Sequence, residues 1–129
     1  MNVIYEGFFI MDKINSKLAK DIEFKHITTE FRPAKTHEHL YGTMATFAIT
    51  GYANDSINEG CSVTLKYCDN DELVNLFNNI SVPHITLSVS NEGKPVNTKN
   101  LNFKDEFNDN TIVHAVFGGF VGKPILQNN

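Results

Sequence analysis

Five histidines are the side chains of this 129-residue chain best matched to proton transfer near neutral pH, and two of them open the same tripeptide, His26-Ile27-Thr28 and His84-Ile85-Thr86. In a β-strand, residues i and i+2 share a face, so each tripeptide would present an imidazole and a hydroxyl side by side. Two such pairs suit cleavage of a phosphodiester that lies next to a ribose hydroxyl or is already closed as a cyclic phosphate. That reaction needs a base for the attacking oxygen, an acid for the leaving oxygen on the opposite side, and donors for the charged equatorial oxygens. The imidazoles of His26 and His84 fill the first two roles, Thr28 and Thr86 the third, and the chemistry calls for neither a metal nor a cofactor. The bare motif is common. With roughly one Ser or Thr in eight residues, two of five histidines carry one at i+2 by chance on the order of one time in ten. The identical central Ile and the β-patterned surroundings of both copies strengthen it. By residue type alone, the alternative is a pair of structural histidines on half-buried strands.

Both copies need strands, and the flanking sequence supplies them. Pro83 to Ser90 alternates cleanly, with His84, Thr86, Ser88 and Ser90 on one face and Ile85, Leu87 and Val89 on the other. Phe24 to Arg32 is β-prone and stops at Pro33, and on a regular strand Glu30 shares the face of His26 and Thr28. Val3 to Ile10 reads as the first strand, with Gly7 marking a close approach of ligand or backbone. Asp12 can cap a helix running to Ile22, with Ile14, Leu18 and Ile22 near one face. A second helix is expected over Asp71 to Asn79, with acidic residues in its first turn and Leu73, Leu76, Phe77 and Ile80 at helical spacing. Each His-Ile-Thr strand thus comes after a predicted helix, which hints at internal duplication. Thr43 to Tyr52 and Cys61 to Cys68 read as a long hairpin around a connection rich in turn formers. Asn91 to Asn110 has no steady period. It reads either as a binding loop, with Lys94, Asn97, Thr98, Lys99 and Asn100 able to donate to phosphate, or as a solvated excursion with a short helix at Lys104 to Phe107. Thr111 to Phe120 is apolar on both faces apart from His114, which suits a buried central strand with a core histidine, and the tail after Lys123 reads as frayed.

Length fits one domain over residues 1–129. The formal charge of −4 argues against a surface that grips long duplex nucleic acid, while a small nucleotide or a local basic patch stays compatible. No apolar run is long enough to span a bilayer, and the first residues lack the basic region of a signal peptide. Cys61 and Cys68 fall on opposite sides of one extended run and cannot bridge each other, so free thiols in a reducing cytoplasm are expected. The high asparagine content is typical of AT-rich genomes, including many phages and low-GC bacteria.

The two His-Ile-Thr motifs, with Gly51-Tyr52 in the middle hairpin, Pro83-His84-Ile85-Thr86-Leu87-Ser88, and Gly93-Lys94-Pro95-Val96 after it, resemble the 2H phosphoesterase superfamily. The likeness is to its LigT-like RNA phosphodiesterases, to the small 2H module of Swiss-army-knife RNA-repair proteins, and to phage enzymes that destroy cyclic oligonucleotide messengers. It covers most of the chain, which is shorter than typical LigT-like members. The resemblance implies a bilobed α+β fold in which two antiparallel sheets flank a cleft with helices outside, and His26, Thr28, His84 and Thr86 as catalytic residues facing one another across it. It also implies a metal-independent phosphodiesterase acting on a small cyclic nucleotide or cyclic oligonucleotide. Processing of RNA ends carrying 2′,3′-cyclic phosphate is an alternative, as is a protein that sequesters its nucleotide without cleaving it. If the source is a phage, an immune messenger in the host cytoplasm is the natural substrate class.

Four further residues have competing readings. Tyr5 is a candidate to stack on a nucleobase, against the commoner fate of a core tyrosine. Lys94 is a candidate phosphate contact, against an idle surface lysine. His37 and His39 form a His-x-His without a third ligand in sequence, so no metal site is expected there.

Overall fold

The computed structural model describes residues 2–106 and 111–127. Its strands are β1 (Tyr5–Ile10), β2 (Lys20–Asp21), β3 (His26–Phe31), β4 (Met44–Asn54), β5 (Asn58–Tyr67), β6 (His84–Val89), β7 (Ile112–Phe120) and β8 (Pro124–Ile125). Helix α1 (Asp71–Asn78) lies between β5 and β6, and short 3-10 turns occupy Glu38–Leu40 and Pro95–Asn100. The strands hydrogen-bond into one antiparallel sheet in the order β2-β6-β5-β4-β7-β1-β3. The architecture is α+β with few helices, and it has one continuous sheet where two were expected. The join is the β4–β7 ladder, Met44 to Ala48 against Val116 to Ile112. β8 takes over that edge of β7 at Gly119 and Phe120, so the tail expected to fray is paired as far as Ile125.

One face of the sheet is buried. Phe8, Ile27, Phe47, Cys61, Ile85, Leu87, Val113 and Phe117 pack with Leu73 and Phe77 of α1 and with Leu40 and Tyr41. The helix forms where periodicity puts it: Asn70 caps it by accepting the Leu73 N–H at 3.0 Å, and Leu73 and Phe77, one turn apart, are its buried stripe. Among the described residues no helix is long and apolar enough to cross a membrane. Both cysteines are free thiols, and burial pushes the Cys61 thiol up to about 12.

Three sequence expectations fail for identifiable reasons. Residues 12–22 form no helix, because backbone donors in that stretch are committed elsewhere. The Lys17 N–H goes to the buried Glu59 carboxylate (2.8 Å), the Leu18 N–H to buried Ser88 Oγ (3.1 Å), and Asp12 accepts the His114 N–H instead of capping. Leaving such buried acceptors unmatched costs about 1–3 kcal/mol each, more than a short helix returns. His114 is not a core residue: its side chain is 56% exposed and its Nδ1 lies 3.2 Å from Asp12 Oδ2. β7 is central, yet only Val113, Ala115 and Phe117 point into the core. The short helix expected at Lys104 to Phe107 does not form over 104–106, where Asp105 bridges to Tyr52; Phe107 lies outside the described residues.

β3 and β6 stand near opposite ends of the sheet order, but their Cα atoms come within 8 Å of each other. The Ile22 N–H donates to Leu87 O (3.1 Å) and Lys25 O accepts from the Ile10 N–H (2.9 Å), so four residues step from β6 across to β1. The sheet is thereby curled until its two His-Ile-Thr strands face each other.

Candidate active site

Both motifs are built in the same way. Thr28 on β3 lies opposite Gly7 on β1, and Thr86 on β6 lies opposite Gly60 on β5. Each glycine comes directly after a buried glutamate, Glu6 or Glu59, and the register slips by one residue between glutamate and glycine in both pairs. A bulge so placed keeps His and Thr of each motif on one face and turns the following polar residue to the other. Glu30 accordingly joins Glu6 and His37 rather than His26 and Thr28. Ser88, expected on the face of His84, is fully buried on the opposite side, donating to Glu59 Oε1 at 2.6 Å.

The glutamates anchor the irregular chain behind each motif. Glu6 accepts from Tyr41 Oη (2.7 Å), the His37 N–H (2.7 Å) and His37 Nδ1 (2.7 Å). Glu59 accepts from Tyr52 Oη, Ser88 Oγ and the Lys17 N–H, and burial followed by this carboxylate pushes the Tyr52 phenol up to about 12. Neither carboxylate is left without donors, as burial of a charge demands.

The imidazoles are also held alike. His26 Nδ1 lies 2.8 Å from the carbonyl of Phe24, and His84 Nδ1 lies 2.7 Å from the carbonyl of Val82. A carbonyl only accepts, so each Nδ1 carries a proton, and each neutral ring has its lone pair on Nε2. Burial holds the His26 imidazole below its ordinary value, and the charge of His84 adds to that depression. Burial does the same to His84, and the charge of Lys99 contributes.

Rings support both histidines. Tyr5 stacks on His26 with centroids 4.3 Å apart and on Phe120 at 4.9 Å. β3 and β7 flank β1 on opposite sides, so the Tyr5 ring is held between the two, and its hydroxyl oxygen sits 3.2 Å from His26 Nδ1. Tyr5 is thus part of the His26 mounting, with both faces engaged. On the other side, Phe103 stacks against His84 at 6.4 Å. The segment 98–103 can lie there because Gly60 and Gly51 have no side chain: a Cβ would stand 2.5 Å from Thr98 Cγ2 at Gly60 and 2.4 Å from Phe103 O at Gly51. Asn58 fastens the same segment through Lys94 O (2.7 Å) and buried Thr98 Oγ1 (3.0 Å).

The structure brings His26 and His84 together, each with its threonine alongside. Among the described residues the hydrogen bond from Thr86 Oγ1 is a long one, to Pro95 O at 3.5 Å. Lys94 is exposed, and Lys99 is the cation whose charge reaches His84. Phe103 and the Glu-Gly pairs at Glu6-Gly7 and Glu59-Gly60 were missed from sequence; the dipeptide also occurs at Glu92-Gly93, so it does not by itself mark the two that face the motifs. No model of a known protein family matches the chain, and no curated protein matches it.

Proposed function

We propose that this protein is a phosphodiesterase of the 2H type, cleaving a small cyclic nucleotide or cyclic oligonucleotide between His26 and His84. The observation that carries this reading is the matched mounting of the two imidazoles, each with Nδ1 protonated against a backbone carbonyl, on two strands whose Cα atoms come within 8 Å of each other. One Nε2 takes the proton of the attacking hydroxyl while the opposite imidazolium gives its proton to the leaving oxygen as the P–O bond breaks. In a second step that opens a cyclic phosphate with water, the two roles exchange. Thr28 and Thr86 donate to the equatorial oxygens, and Lys99 adds positive charge on the His84 side. Tyr5 positions His26, and the exposed Lys94 lies at the entrance to the segment that carries Lys99. The two halves of the sheet, β1-β3-β7 and β4-β5-β6, act as the lobes of the bilobed arrangement. A net charge of −4 favours a small substrate over long duplex nucleic acid, and action in the cytoplasm, a host's if the source is a phage, fits the free thiols.

The test is a panel of cyclic dinucleotides, cyclic trinucleotides and 2′,3′-cyclic mononucleotides incubated with the protein in EDTA. Cleavage of at least one member is expected, with turnover at least ~100-fold lower in folded His26→Ala and His84→Ala variants. Near wild-type turnover in either variant removes the two-histidine mechanism. Binding without product favours the sequestering protein, and activity confined to RNA ends favours repair.

A further inference from the structure

Ser62 on β5 is the cross-strand partner of His84 on β6. Its neighbours Cys61 and Val63 belong to the core, so its own side chain points to the other face, beside the His84 imidazole. The Val63 N–H donates to Pro83 O at 3.3 Å, which places Ser62 and His84 between ladder bonds as a non-hydrogen-bonded pair. Side chains of such a pair stand closest, with Cβ atoms about 4.5–5.5 Å apart.

A second hydroxyl joins Ser62. The register of β4 on β5 slips between Ile49 and Gly51, so Thr50 is the unpaired residue of a bulge, and its Oγ1 lies 2.9 Å from Ser62 Oγ. Thr50 is exposed and Ser62 half-buried. Gly51 makes room for the pair: a Cβ there would stand 2.8 Å from Ser62 Oγ and 2.4 Å from Phe103 O. The Phe103 ring, stacked on His84, walls the same corner. His84, Ser62 and Thr50 thus form a row across β6, β5 and β4. β5 and β4 lie on the opposite edge of β6 from β2, the strand through which the chain passes to His26, so the row leads away from the two-histidine gap.

Each hydroxyl can give one hydrogen bond and take two. Their mutual bond uses one of the two protons, which leaves one donor and free lone pairs side by side. A phosphate only accepts and is bound best by charged donors. A nucleobase edge or a sugar hydroxyl both gives and takes, as this pair does.

We infer that Ser62 and Thr50 bind the nucleoside attached to the scissile phosphate on the His84 side, an assignment that rests on His26 and His84 holding that phosphate. The pair takes no part in proton transfer. Its removal weakens recognition of the nucleoside and leaves capture of the phosphate intact.

The experiment is NMR titration of the full chain at about pH 6, following the ring signals of His26 and His84. The probes are inorganic phosphate and the nucleoside 3′- and 5′-monophosphates of the four bases, in ribose and deoxyribose forms. At least one nucleotide is expected to bind at least ~5-fold more tightly than phosphate. Ser62→Ala should weaken that nucleotide at least ~3-fold, the contribution of one neutral hydrogen bond, and leave phosphate affinity unchanged, which also shows the variant folded. Thr50→Val, at an exposed position, should do the same. Thr64→Ala, also exposed and on the same face of β5, should change neither affinity. A loss that differs among bases and persists in the deoxy forms assigns the base edge. An equal loss for all bases that vanishes in the deoxy forms assigns the sugar hydroxyl. Unchanged nucleotide affinity in both Ser62→Ala and Thr50→Val overturns the inference, and so does equal weakening of phosphate and nucleotide. A wild-type protein that holds phosphate as tightly as every nucleotide overturns it too. None of these readouts needs turnover. Cleavage of a cyclic nucleotide with nucleotide affinity unaltered in the variants removes this subsite and keeps the enzyme, whereas the predicted affinity losses without any cleavage remove the enzyme and keep the subsite.

Discussion

An imidazole whose Nδ1 proton is committed to a carbonyl can work only through Nε2, and both His26 and His84 are in that state. Burial depresses both below the ordinary histidine value of about 6.5, each with a further push from a neighbouring positive charge, His84 on His26 and Lys99 on His84. The productive enzyme has one ring protonated and the other neutral. Above both pKa values that form becomes tenfold rarer with each pH unit. kcat/KM is therefore expected to peak below about pH 6.5 and to fall about tenfold per unit on the alkaline side. A profile that stays level between about pH 7 and 9 would show that the histidines do not share the two proton transfers. The identity of these residues was legible in the sequence, since a repeated His-Ile-Thr is a local feature. The partners that tune them were not: Phe24 O and Val82 O lie only two residues back but depend on the local backbone path, and Lys99 and the Tyr5 ring reach the histidines through the folding of the chain.

At the scale of elements, β-propensity located β1, β3, β4, β5 and β7 to within a few residues, clean alternation located β6, and helical spacing located α1. Two things defeated these signals. The first is the bulge after each threonine, which moves Glu30 and Ser88 off the faces that alternation assigns them; a bulge depends on the opposing strand and leaves little trace in its own. The second is the stretch from Asp12 to Ile22, where a helical period is overruled by the needs of buried Glu59 and Ser88. Gly60 shows how closely the elements are fitted. An added methyl there would meet Thr98 Cγ2 at 2.5 Å and the carbonyl of Ile85 at 2.8 Å. Gly60→Ala is expected to cost about 1–3 kcal/mol by overpacking. It should also lower turnover at least tenfold in protein that is still folded, because the displaced segment carries Lys99 and Phe103. Thr64→Ala, at an exposed position on the same strand, should change neither property. Denaturant unfolding with turnover on the same samples checks this, and unchanged activity in Gly60→Ala would separate that segment from the site.

For the molecule as a whole, the resemblance led to two sheets around a cleft, and the structure has one sheet curled by residues 22–25 until β3 and β6 meet. Either arrangement brings the two motifs together. Sequence could not distinguish them, since the choice turns on the β4–β7 ladder, a pairing of distant segments that no local pattern encodes. The hint of duplication rested on a helix before each motif, and residues 12–22 form none. The likeness between the two motifs lies elsewhere, in the Glu-Gly pairs opposite Thr28 and Thr86. A sheet curled in this way predicts one phosphate-sized gap with an imidazole on each side. The most direct measurement is the NMR titration of the histidine side chains with and without inorganic phosphate. A dianion between the two rings should raise the pKa values of His26 and His84 together, with one shared binding midpoint, and leave His114 unmoved. Movement of only one of the pair, or of neither at about 0.1 M phosphate, would contradict a site in which both histidines serve the same phosphate.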